Sequence, residues 1–197
     1  ALDRRRHGRG AEALHRNGGR LIASAAIGVD LALVRNSSAF VAAYPGNVIT
    51  IGEIVELRPE PKTPLRLSHV VDRACDFAER HGARVLCSDH HVLEPAREHL
   101  RDGFSLEPVD AGSDARVERF VTVRSLLNEG RVRIPGCYKR LASQLRDVVA
   151  KPTPGGKTQV ILRSRGMAHS DIAAAAVLAI WAAAQIGASH DLARING

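Results

Sequence analysis

From Leu21 to Leu33 the chain reads LIASAAIGVDLAL, an apolar run broken by one acid, Asp30. Burying an unpaired carboxylate is costly enough to oppose folding. A chain built on this run must turn Asp30 to solvent, pair it with an arginine, or enclose it in a pocket that a cation can fill. The run that follows, FVAAYPGNVITIGEIVEL, sets a Pro-Gly-Asn turn between two β-rich segments. Together the two runs predict a strand and a hairpin, three antiparallel strands in all.

From Ser68 to His81 the pattern changes to helical spacing, with Val70, Val71, Ala74, Phe77 and Ala78 on one face and Gly82 where a C-terminal cap belongs. Arg84 to Ser88, RVLCS, reads as a short buried strand that delivers Asp89 at its carboxyl end. HHVLEPAREHLRDG predicts a short helix and FSLEPVD a further strand. Val117 to Asn128 predicts an amphipathic helix, RIPGCYKRLASQLRDVV another short one, and the segments around PGGK a hairpin feeding Val160, Ile161 and Leu162. The closing helix is expected from near Ser170 to about Gln185, stopped by Gly187. This order is mixed α/β: three antiparallel strands followed by parallel strands, flanked by helices, with no internal repeat.

At 197 residues the chain suits one domain plus short appendages. Ala1 to Arg20 is dense in Arg and Gly and is read as a basic flexible arm or linker, leaving 21–197 as the domain. A formal net charge of +7 favours polyanionic partners, nucleic acid first among them. Aromatic residues are only 4%, which disfavours a base-stacking platform and favours contact with a duplex backbone. Cys75, Cys87 and Cys137 match no zinc spacing and read as reduced thiols. The most apolar run, Ile172 to Ile186, is Ala-rich and is read as too short to span a bilayer, and the N-terminus has no signal-peptide core; a soluble protein away from membranes is expected. Met167 is the only Met, so the chain reads as part of something longer.

Asp89 at a strand end and Asp171 at the start of an Ala-rich helix join Asp30 as candidates for chemistry. Each has a plain structural alternative: a salt-bridged or solvent-facing strand acid, a turn Asp, and a helix cap. As a set, they supply what hard divalent cations need, carboxylates drawn from separate elements. His90 and His91 are adjacent on an extended segment, so at most one faces any site. Gly155, Gly156, Lys157 and Thr158 mimic part of a P-loop, but its first position falls on Lys151 and the stretch reads as a hairpin turn.

The series GVDLALVRNSSAF, VLCSDHHVLEP and PGGKTQVILRSRGMAHSDIAAAAVLAIWAA resembles the C-terminal nuclease domain of bacteriophage large terminase subunits, within the RNase H-like superfamily. The resemblance covers about Leu21 to Gln185; its most specific part is the glycine-turn hairpin followed by a Gly-x-x-His-x-Asp step into the Ala-rich helix. It implies an RNase H-like mixed sheet and an endonuclease using two Mg²⁺ or Mn²⁺ ions to cleave double-stranded DNA concatemers. Asp30 would bridge the ions, Asp89 and Asp171 would complete their shells, and His169 would be accessory, orienting a carboxylate or capping the helix, with direct metal ligation as the alternative. Some relatives carry a fourth carboxylate beside the third, whereas Asp171 is flanked by Ser170 and Ile172.

The resemblance further implies an upstream ATPase domain, portal and small terminase subunit as partners, and action in the cytoplasm of an infected bacterial host. Candidate DNA contacts around the acids are Arg35, Arg131, Arg133, Lys139, Arg140, Lys157, Arg163 and Arg165. The competing readings are another RNase H-like nuclease, acting on Holliday junctions or RNA:DNA hybrids, and a non-catalytic DNA-binding module.

Overall fold

The computed structural model describes residues 15–17, 20–22, 24–34, 37–89, 93–110, 112–152, 158–162 and 171–195. In chain order the strands and helices are β1 (His15–Asn17), β2 (Arg20–Ile22), β3 (Ala26–Asp30), β4 (Ser38–Tyr44), β5 (Ile49–Leu57), α1 (Leu67–Arg80), β6 (Val85–Ser88), α2 (Leu93–Arg97), β7 (Ser105–Pro108), α3 (Ser113–Asn128), β8 (Val132–Arg133), α4 (Lys139–Arg146), β9 (Val148–Pro152), β10 (Thr158–Leu162) and α5 (Asp171–Ile195).

Six strands form one sheet in the order β7-β6-β3-β4-β5-β8. The β3, β4 and β5 strands are antiparallel neighbours, as the hairpin pattern predicts. Parallel β6 and β7 extend the sheet beyond β3. This is the RNase H-like arrangement. The two-residue β8 was not foreseen; it adds in parallel at the start of β5, too short to show any periodicity.

The sheet is covered on both faces. Alternate residues of β3 and β4 divide between two cores: Ile27, Val29, Phe40 and Ala42 pack with Val70, Val71, Ala74 and Phe77 of α1. Ala26, Ala39, Val41 and Ala43 pack with Ala175, Ala176, Ala179, Ile180 and Ala183 of α5. Period-two alternation on strands buried from both sides explains why these runs are nearly continuous in apolar residues. His81 closes α1, and Gly82 follows with φ +67°, the left-handed conformation glycine supplies at least cost.

Several boundaries differ from expectation. The closing helix does not stop at Gly187 but continues to Ile195; a single helical glycine costs only about 1 kcal/mol, and the flanking residues are good helix formers. Its apolar window is also longer than read: Asp171–Ala188 has mean hydropathy 1.6, long and apolar enough by composition to cross a membrane, and 61% of it is buried inside the protein, as a core helix is. The α3 helix begins at Ser113 rather than Val117. β1 and β2 form a two-stranded sheet of their own that straddles the expected boundary at Arg20. β9 and β10 form the expected antiparallel hairpin, its turn lying outside the described residues.

Candidate active site

Gly28 and Asp30 share the face of β3 that carries Ala26, the face toward α5. Gly28 has no room for a side chain. A Cβ there would lie 2.1 Å from the carbonyl oxygen of Ala175 and 2.6 Å from the amide nitrogen of Ala179. The helix backbone therefore rests directly on the strand. From that contact, one helical turn back reaches Asp171 and two strand residues forward reach Asp30, steps of about 6 Å each. The first residue of α5 thereby lies over the carboxyl end of β3, on the side of Asp30.

The parallel register brings in the third acid. Ile27 pairs with Leu86 and Gly28 with Cys87; carried two residues further, the same register sets Asp89 beside Asp30. Cys87 packs on the α5 side, and Asp89, two residues on, shares its parity. All three acids therefore belong to one sheet face, at the carboxyl end of the central strands β3 and β6.

Asp171 is buried, and its Oδ2 accepts a hydrogen bond from the Ser37 amide at 3.0 Å. The buried Gln144 of α4 accepts one from the Ala173 amide at 3.0 Å, satisfying one of the amides that the first turn of α5 leaves unpaired. Both contacts fix the start of the helix, and with it the Asp171 carboxylate. Burial first, then the charges of Asp171 and Asp89, push the Asp30 carboxyl from its ordinary 3.8 up to about 7, with Arg116 opposing them. Asp89 and Asp171 are thus close enough to act on Asp30 electrostatically.

The acids do not form a closed ligand cluster. Among the described residues, no three His, Cys, Asp or Glu side chains stand close enough to share one ion as placed. Asp89 is instead engaged by Arg119 at 3.4 Å and Asp171 by Ser37. The donor set still fits a hard divalent cation: it is all carboxylate oxygen, and Asp30 carries a burial penalty that a cation would relieve.

Two functional-site residues were missed in the sequence, Arg116 and Arg119 of α3. Arg119 is buried and also donates to the carbonyl oxygen of Asp110. The signal was present: Arg116 and Arg119 occupy the same helical stripe as Phe120, Val123, Leu126 and Leu127, where an apolar residue belongs. Glu56 was missed as well. It lies in the row Asp30–Ala39–Glu56 across three strands and accepts hydrogen bonds from Arg58 and Arg140. Burial raises the Glu56 carboxyl, but the bonds from Arg140, Arg58 and Ser37 outweigh it and hold the group below its ordinary value.

The candidate DNA contacts separate. Arg140, on α4, reaches Glu56 in the row of Asp30, and Lys139 precedes it. Arg131 and Arg133 do not surround the acids. Arg133 pairs with Thr50 at the start of β5, and Thr50 in turn with Tyr44, five residues along β4 from Ala39, the partner of Asp30. Val132 and Ile134 take the α5 side there, so Arg133 faces the other way, and Arg131 is paired with Glu129 at 3.6 Å. Their position follows from β8 joining the far end of β5. Arg35, Lys157, Arg163, Arg165 and His169 lie outside the described residues, as do His90 and His91. The three cysteines are free, and burial pushes the Cys87 thiol up to about 11, away from thiolate chemistry.

The mixed sheet and its helical cover define an RNase H-like fold. Within that class, the chain has the fold of phage large terminase nuclease domains. The large terminase nuclease of the thermophilic phage G20c aligns with TM-score 0.66 and 22% identity over 84% of this chain and 89% of that one. The HK97 bacteriophage large terminase aligns with TM-score 0.65 and 18% identity over 81% of this chain and 39% of that one. The g2p nuclease domain of bacteriophage SPP1, a structure with bound Mn, gives TM-score 0.53 and 16% identity over 81% and 86%. No family model and no curated protein matches the sequence.

Proposed function

We propose that this chain is the nuclease domain of a bacteriophage large terminase subunit, cleaving double-stranded DNA with two divalent cations, Mg²⁺ or Mn²⁺, held by Asp30, Asp89 and Asp171. The observation that carries the reading is that the β3–β6 register and the packing of α5 on Gly28 bring Asp30, Asp89 and Asp171 to the same face at the carboxyl end of β3, where burial and the facing charges raise the Asp30 carboxyl. Such a cluster is electrostatically unfavourable by itself and favourable around a cation.

Each acid is held by a different element, which keeps the oxygens in place as charge changes around them. Asp30 is fixed by the β3–β4 ladder, Asp171 by its position at the head of α5 and the Ser37 amide, and Asp89 by its place at the end of β6. The bound cations would supply water activation and charge neutralisation at the scissile phosphate. Lys139 and Arg140, with Arg35, Lys157, Arg163 and Arg165, are assigned to the flanking DNA backbone, and His169 to orienting a carboxylate. The ATPase domain belongs upstream in the full-length protein, in keeping with the 39% of the HK97 large terminase that this chain spans. Portal and small terminase subunit complete the partners, in the cytoplasm of the infected host.

Asp30→Asn tests the reading. With Mn²⁺ present, nicking of supercoiled duplex is expected to fall at least ~10³-fold while the fold, read by circular dichroism, is retained. Undiminished nicking rejects the assignment. The same preparation, offered plain duplex, RNA:DNA hybrid and four-way junction, is expected to prefer the plain duplex; preference for either of the others reassigns it within the superfamily.

A further inference from the structure

Arg119 stands where the pattern of α3 calls for an apolar side chain. Its side chain is 4% exposed, its guanidinium lies 3.4 Å from Oδ2 of Asp89, and it also donates to the Asp110 carbonyl. Arg116, one turn earlier on the same stripe, has its Nε buried without a hydrogen-bond partner, and its charge acts on Asp30 in opposition to the other two acids. Burying the Arg119 guanidinium, with Arg116 partly buried on the same helix, is expensive unless their charge answers an opposite one. The opposite charge here is the acid pocket.

We infer that Arg116 and Arg119 are the resident counter-cations of the Asp30–Asp89–Asp171 pocket, Arg119 through its contact with Asp89 and Arg116 through its charge, and that divalent cations displace them on entering. The inference rests on the proposal that the pocket binds such cations. It accounts for the placement of the side chains: the acids gather at the carboxyl end of β3 and β6 yet do not close into a ligand cluster, because Asp89 is drawn to Arg119. A cation entering the pocket takes over neutralisation of the carboxylates and repels the guanidiniums. A released guanidinium is a strong bidentate phosphate ligand, so loading the site would also present an arginine to the DNA backbone.

The alternative is a fixed salt bridge in which Arg119 merely holds Asp89 in position. The two differ in sign. A competing counter-cation weakens cation binding, so its removal strengthens it, whereas removal of a fixed support weakens it.

The test is calorimetric titration of Mn²⁺ into the metal-free chain at constant pH and ionic strength, for the wild type, R116Q, R119Q and R119K. The expectation is about tenfold tighter Mn²⁺ binding in R116Q and R119Q, with R119K within about twofold of wild type because the charge is kept. Both glutamine variants are expected to melt at lower temperature without metal and to regain the loss when Mn²⁺ is added. If R119Q does not fold, R116Q carries the test. Unchanged or weaker Mn²⁺ binding in R116Q overturns the inference while leaving the nuclease proposal standing. Absence of Mn²⁺ binding in the wild type removes both.

Discussion

Gly28 of β3 and Ala175 of α5 are in backbone contact, so close that a single methyl group on Gly28 would lie 2.1 Å from the Ala175 carbonyl oxygen. The contact sets the height of α5 above the sheet, and Asp171, one turn away, takes its position relative to Asp30 from it. Backbone atoms cannot give way as the end of a flexible side chain can. Gly28→Ala is therefore expected to destabilise the protein by about 3 kcal/mol or more, measured by denaturant unfolding, and to weaken Mn²⁺ binding in whatever fraction stays folded. Wild-type stability in this variant would mean that α5 does not rest on β3 at this point.

The raised Asp30 carboxyl makes a prediction about pH in the absence of metal. In the folded protein this group holds its proton up to about 7, and its ordinary value is 3.8. The folded state thus binds the extra proton between these limits, and stability contributed by the protonated group is present below 3.8 and lost as pH rises through about 7. The Asp30 contribution, read as the difference in unfolding free energy between wild type and Asp30→Asn in chelator, is expected to fall across that interval. Asp30→Asn removes this dependence and is expected to be more stable than wild type at pH 8, by on the order of 2 kcal/mol. A difference that holds or grows from pH 4 to pH 7, with no gain in the variant, would contradict it.

Position along the sheet separates the basic residues. Arg140 reaches the row of Asp30 through Glu56, whereas Arg133 pairs at the opposite end of β5 and faces away. Arg140→Ala is expected to weaken duplex binding about 3- to 10-fold at moderate salt and to reduce the steepness of the salt dependence by about one phosphate contact, and Arg133→Ala to leave both unchanged. Fluorescence anisotropy over a salt series measures both quantities, with a melting curve for Arg140→Ala because that variant also removes a partner of Glu56. Equal loss in the two variants would contradict the assignment.

How far the chain could be read from its residues follows from local signals. The β4–β5 hairpin and the buried stripe of α1 were legible because alternation, helical spacing and turn residues agree there. The end of α5 was not, because Gly187 carries a stop signal that the flanking helix formers override. β8 was invisible at two residues in length. The acids Asp30 and Asp171 stood out as charges bordering apolar runs. Arg116, Arg119 and Glu56 did not, because a charge on an amphipathic element reads as surface until the packing shows which stripe it occupies. Arg131 and Arg133 were drawn toward the acids by their charge alone, and only strand pairing places them elsewhere.

If Asp30, Asp89 and Asp171 serve one cation site, a crystal soaked in Mn²⁺ will reveal it. The anomalous difference map is expected to show density bounded by these three carboxylates, with Asp30 in contact with every ion present. A map with no such peak at saturating Mn²⁺, or with Mn²⁺ bound only elsewhere on the surface, contradicts it.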